Sequence, residues 1–85
     1  MKKSIIQMVD VENLISYFLS APEKTFQEFG NKFNLGEKYI STLKRQLQRK
    51  DILRCSKYNG TDGKIKSKKE VLISDLQVIK KLLNI

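Results

Sequence analysis

The sequence predicts a mainly helical α+β domain built in the order helix, helix, helix, β-hairpin, helix. Two observations carry that prediction. Apolar residues recur at the 3.6-residue spacing of a buried helical stripe in four stretches. Between the third and fourth of these, Asn59-Gly60 and Asp62-Gly63 interrupt an extended run, and both pairs are strong hairpin-turn signals. Eighty-five residues hold one such domain and not two, since typical domains have about 100–150 residues. A chain this short buries only roughly 60–65% of its unfolded surface, which leaves no room for a large enclosed substrate pocket.

The elements follow in order. Val11, Leu14, Ile15, Phe18 and Leu19 define helix 1 over about residues 10–21, with Asp10 as its N-cap and Pro22 as its stop. Residues 4–9 suit either an extra helical turn or a short strand. Thr25 followed by Glu28 has capping-box spacing and opens helix 2, about 25–33, whose Phe26, Phe29 and Phe33 share one core-facing side. Asn34 or Gly36 supplies the turn that ends it. Helix 3, about 37–50, lacks Gly and Pro and buries Ile40, Leu43 and Leu47. The hairpin occupies about 53–73 with a long basic tip. Ser74 and Gln77 have capping-box spacing before a last helix, about 75–84, carrying Leu76, Ile79, Leu82 and Leu83.

Composition excludes several classes of function. There is no His, one cysteine and no carboxylate pair, nucleophile–base pair or glycine-rich phosphate loop, so neither catalysis, a metal nor a cofactor is expected. The basic Met1-Lys2-Lys3 precedes an apolar run broken by Asp10 and Glu12, which is neither a secretory region nor a membrane span. With Cys55 as the only thiol, a reducing cytoplasm is the expected location. Cys55 itself reads as strand packing rather than a redox sensor, and Tyr39 as a core-edge residue with a wet hydroxyl.

The net charge of +8 is segregated. Residues 37–69 hold eleven Lys and Arg against Glu37, Asp51 and Asp62, while the remaining residues hold six of each sign. A uniform solubilising excess would not divide in this way; a phosphate-binding face would.

The stretch from Thr25 to Leu53 resembles the helix-turn-helix of winged-helix DNA-binding regulators. Glu28-Phe29-Gly30 matches the polar, apolar, small triplet of the first motif helix, Asn34-Leu35 the turn and its apolar anchor, and Ile40, Leu43 and Leu47 the core side of the recognition helix. The likeness extends over about residues 10–75; it departs at Gly36, where many members have a Ser or Thr cap, and at Asp51, where Gly is usual. It implies a winged helix-turn-helix with a three-helix core, a hairpin wing and a C-terminal helix, bound to double-stranded DNA.

On a helical projection Arg45 lies roughly opposite the buried stripe of helix 3, with Lys38, Ser41, Thr42, Gln48 and Arg49 within about 60° of it. Arg pairs with guanine and Gln with adenine in the major groove. Ser41, Thr42 and Arg45 are therefore expected over the groove floor, and Lys38, Arg49 and Lys50 toward phosphates, with Lys44 and Gln48 completing the helix's contribution. Lys57, Lys64, Lys66, Lys68 and Lys69 of the hairpin are expected on the backbone or in the minor groove, because an ammonium suits a phosphate better than a base edge. The surplus apolar residues of the last helix suggest a homodimer through helix 1 and the C-terminal helix. No membrane or small-molecule partner is expected. A regulator of transcription and a centromere- or origin-binding protein of a plasmid or phage both fit. Two other readings are a winged-helix protein-interaction module in a larger assembly and a nucleic-acid binder that recognises shape.

Overall fold

The computed structural model describes residues 6–85 as α1 (Met8–Ser20), α2 (Phe26–Phe33), α3 (Glu37–Arg49), β1 (Leu53–Asn59), β2 (Ile65–Val71) and α4 (Leu76–Leu83). This is a small α+β arrangement, mainly helical, with one two-stranded antiparallel hairpin. The basic Met1-Lys2-Lys3 and residues 4 and 5 of the ambiguous stretch 4–9 lie outside the described residues; Ile6 is buried, and Met8 and Val9 join α1.

Each helix contributes an apolar stripe to one centre. Val11, Leu14, Ile15 and Phe18 of α1 meet Phe26 and Phe29 of α2, Ile40, Leu43 and Leu47 of α3, Ile52 and Leu53 at the hairpin base, and Ile79 and Leu83 of α4. Phe18 packs between Phe26 and Phe29 at centroid distances of 4.9 and 6.1 Å, inside the range where tilted aromatic pairs attract. Three apolar expectations need correction. Phe33 is only half-buried, edge-on to Tyr17, while Leu19 and Leu76 are exposed. In each case the buried stripe is narrower than the apolar spacing suggested: Val11, Leu14, Ile15 and Phe18 on α1, Phe26 and Phe29 on α2, and Ile79 and Leu83 on α4 are the buried members.

Local signals place most helix ends. Thr25 and Glu28 form the reciprocal capping box, Glu28 N–H donating to Thr25 Oγ1 at 3.0 Å and Thr25 N–H to Glu28 Oε2 at 3.1 Å. Asn34, not Gly36, takes the left-handed conformation that ends α2, at φ 57°. Two caps differ from expectation. Asp75, not Ser74, caps α4, its Oδ1 accepting from Gln77 N–H at 3.0 Å. Asp10 is not the N-cap of α1, because the helix begins earlier, after Gln7.

Asp10 instead accepts a hydrogen bond from the hydroxyl of Tyr39 on α3, 2.5 Å away. The same hydroxyl accepts from Gln7 N–H at 2.9 Å, so it is not the wet group expected from the sequence. It ties the start of α1 to α3. Burial, and then the bond to Asp10, push the Tyr39 pKa from 10.0 up to about 12, with the Gln7 amide pulling the other way.

The α2–α3 crossing depends on Gly30. A Cβ there would stand 3.1 Å from Ile40 Cγ1 and 3.4 Å from the Leu35 carbonyl oxygen. The hairpin is fastened to the body at its base: Lys69 N–H donates to the Pro22 carbonyl at 2.8 Å, and Leu72 N–H to the Ile52 carbonyl at 2.8 Å.

Two substitutions test this packing. Gly30→Val should destabilise the fold by about 1–3 kcal/mol, the usual range for overpacking a tight crossing, measured by urea unfolding. Tyr39→Phe should cost about 1–2 kcal/mol at neutral pH. The folded protein holds the phenol proton more tightly than the unfolded chain, so the pH-linked part of this stabilisation is complete below about pH 10 and is lost as the pH rises through about 12. The gap between wild type and Tyr39→Phe should narrow over that window.

Candidate nucleic-acid interface

The outward side of α3 is polar because its apolar residues are all on the other side. Ile40, Leu43 and Leu47 are buried, which turns Lys38, Ser41, Lys44, Arg45 and Arg49 to solvent. Lys50, the C-cap, is exposed as well. Glu37 is the only acid on the helix and lies at its first residue, where it complements the positive helix end. Ser41, Lys44, Arg45, Gln48 and Arg49 line one shallow depression on this side. Lys44 also reaches toward the Phe26 ring, Nζ 5.3 Å from the centroid, so its position is biased toward α2.

Two members of the expected reading set have intramolecular bonds. Thr42 Oγ1 donates to the Lys38 carbonyl at 3.0 Å, which leaves the hydroxyl able only to accept from another group. Gln48 Nε2 donates to Cys55 Sγ at 2.9 Å, so the amide leans toward β1. A bidentate contact from Gln48 to adenine would have to release that bond. Ser41 and Arg45 remain exposed, as do the cations Lys38, Lys44, Arg49 and Lys50.

Strand pairing divides the hairpin lysines into two groups. The register pairs Cys55 with Lys69, Lys57 with Ser67 and Asn59 with Ile65, and directly paired residues project to the same side. That side meets α3 and the core: Leu53 is buried on it, Cys55 contacts Gln48 of α3, and Lys69 lies against the aromatic core. Arg54, Ser56, Tyr58, Lys66, Lys68 and Glu70 alternate onto the other side. There Tyr58 donates to Glu23 Oε1 at 2.7 Å, a bond that raises its pKa and ties the hairpin to the α1–α2 loop.

Lys69 is the correction to the expected set. It is 5% exposed, with Nζ 5.9 Å from the centroids of both Phe18 and Phe26 and donating to Ser67 Oγ at 2.9 Å. Burial lowers its pKa below the ordinary lysine value; Cys55 opposes that shift and Lys44 adds to it. A phosphate cannot reach this ammonium without opening the hairpin base. Lys57, Lys64, Lys66 and Lys68 are exposed.

Hydrogen bonds close the tip, which a run of Asn, Gly and Asp leaves open in the sequence. Gly60 N–H donates to the Lys64 carbonyl at 2.8 Å, Gly63 N–H to the Gly60 carbonyl at 3.0 Å, and Lys64 N–H to Asp62 Oδ1 at 3.1 Å. Gly63 holds φ 80°, a conformation that glycine adopts without a Cβ clash. Two exposed hairpin residues were missed as site candidates from the sequence, Arg54 and Ile65. Alternation from Leu53 would have placed Arg54 outward, and an isoleucine between Lys64 and Lys66 beside two turn glycines is too far from any core stripe to pack.

Comparison with known proteins gives no match: no protein-family model, no curated protein and no solved structure resembles this chain closely enough to place it. Among the described residues, no helix is long and apolar enough to cross a membrane.

The difference among the lysines has a direct chemical readout. On brief treatment with an amine-acylating reagent at neutral pH, Lys57, Lys64, Lys66 and Lys68 should be modified and Lys69 should be the slowest of the five hairpin lysines, as resolved by peptide mass spectrometry. Labelling of Lys69 at the rate of Lys68 would mean that the hairpin base is open in solution.

Proposed function

We propose that this protein is a winged helix-turn-helix protein that binds double-stranded DNA, with α3 in the major groove and the hairpin as a wing on the backbone or in the adjacent minor groove. The observation that carries the reading is the exposed side of α3, where Ser41, Arg45 and Arg49 stand together with no acid beyond Glu37. An ordinary solvated helix face mixes charges of both signs. Helix order adds support: α2 and α3 cross tightly at Gly30, a short turn joins them, and an antiparallel hairpin follows α3 directly.

Within this reading Arg45 and Ser41 address base edges, Thr42 accepts at the groove floor, and Lys38, Arg49 and Lys50 hold phosphates. Lys57, Lys64, Lys66 and Lys68 hold the backbone beside the wing; Lys69 is structural. A second copy pairs through α1 and α4, where Val9, Leu19, Leu76 and Val78 remain exposed. Such a protein serves in control of transcription or in the partition or replication of a plasmid or phage genome.

Selection of bound sequences from random duplexes tests the reading. A palindromic consensus is expected from the paired copies. Arg45→Ala should lose about 1–3 kcal/mol and relax the consensus at one position, whereas Lys66→Ala with Lys68→Ala should weaken every sequence alike and reduce the salt slope by about 2. With six to ten phosphates neutralised, affinity should fall by roughly 10³–10⁵ between 50 and 200 mM salt. Failure to enrich any duplex, or a flat salt dependence, overturns the proposal.

A further inference from the structure

We infer that Ile65 is an apolar wedge that enters the minor groove of the bound duplex and kinks it, a deepening that rests on the DNA-binding reading above. Ile65 is 72% exposed, more than any other exposed large hydrophobic residue among the described residues, and it is not part of the core or of the apolar residues packed against the core. Its exposure is enforced by the fold. It forms the last strand pair with Asn59, adjacent to the turn, and the strand becomes buried only at the opposite end, at Lys69.

Its direction follows from the register. Ile65 alternates onto the same side of the hairpin as Ser67 and Lys69, the side on which Cys55 meets Gln48 of α3. On this inference a duplex seated against the outward side of α3 meets Ile65 and Lys57, and Lys66 and Lys68, which share the other side of the hairpin with Tyr58, hold flanking phosphates. The turn beneath the side chain is closed by backbone bonds, and the Lys66 stem lies over Gly60, its Cε 2.8 Å from where a Cβ at that position would stand. Lys64 and Lys66 flank the isoleucine in the chain.

An exposed β-branched side chain between two cations is poorly suited to water and well suited to a groove that is about 6 Å wide and negative, where the cations meet phosphates and the apolar side chain can enter between stacked base faces. Apolar side chains inserted there unstack a base step and bend the helix toward the major groove. Burial of Ile65 offsets the lost stacking most easily at pyrimidine–purine steps, which unstack readily. The inference thus names the preferred substrate: a duplex with a TA or CA/TG step under the tip, about five base pairs from the bases beneath α3.

The test uses the full chain and a duplex taken from the selection above, with donor and acceptor dyes at its ends. Wild type should bring the ends closer by a bend of about 20–90°. Ile65→Thr keeps the β-branched shape and strand preference but adds a hydroxyl. It should still bind, within about tenfold and with an unchanged salt slope, yet lose most of the bend. Ile65→Phe should retain the bend. Wild type that binds without bending, or Ile65→Thr that bends DNA as wild type does, overturns the wedge while leaving the DNA-binding reading intact. No binding of any duplex by wild type overturns both.

Discussion

Ile52 joins three segments, and the placement of α3 relative to the hairpin passes through it. Its N–H donates to the Leu47 carbonyl at 2.9 Å, which closes the end of α3; its carbonyl accepts from Leu72 and Ile73 N–H, which holds the far end of β2; its side chain is completely buried. Asp51, just before it, turns the chain through a left-handed conformation at φ 56°, which Asp tolerates better than most residues other than Gly and Asn. Burying an isoleucine contributes about 1.5–3 kcal/mol and each backbone bond about 1 kcal/mol. In a domain whose whole stability is of order 5–15 kcal/mol, one such junction is a substantial share.

That junction fixes which hairpin side meets α3, and alternation along the strands then decides what each lysine does. The hairpin carries five lysines within thirteen residues, yet they occupy four environments, with Lys64 in the turn between the strands. Lys57 is on the α3 side, Lys66 and Lys68 are exposed on the opposite side with Tyr58, and Lys69 is inside against Phe18 and Phe26. Lys69 is tolerated there because its stem fills space beside the rings, its ammonium meets two aromatic faces and the Ser67 hydroxyl, and no buried side-chain N or O among the described residues lacks a partner. The same geometry draws Gln48 to Cys55 and so narrows the exposed polar set on α3 to a group centred on Arg45.

Local devices were legible in the sequence. The capping box of Thr25 and Glu28, the stop at Pro22, the buried stripe of α3 and the turn after Asn59 depend on residues within a few positions of one another. Where two neighbouring residues could serve, the sequence could not choose: Ser74 and Asp75 both make good caps, as Asn34 and Gly36 both make good terminators, and the path of the chain decides between them. Asp10 failed as a cap for another reason, that α1 begins after Gln7 and leaves it inside the helix. Its carboxylate is engaged by Tyr39, 29 residues away, and no local pattern announces such a bond.

The sequence by itself determined the order and type of the elements, the apolar residues that hold them together and the concentration of positive charge between Glu37 and Lys69. These follow from spacing, and spacing is a property of the chain. The tertiary structure alone decided which cations are available, that Lys69 is enclosed while Ile65 is exposed, and that Tyr39 locks α1 to α3. Burial and hydrogen bonding across the fold depend on what each side chain meets, and strand register sends adjacent residues to opposite sides; composition carries no record of either.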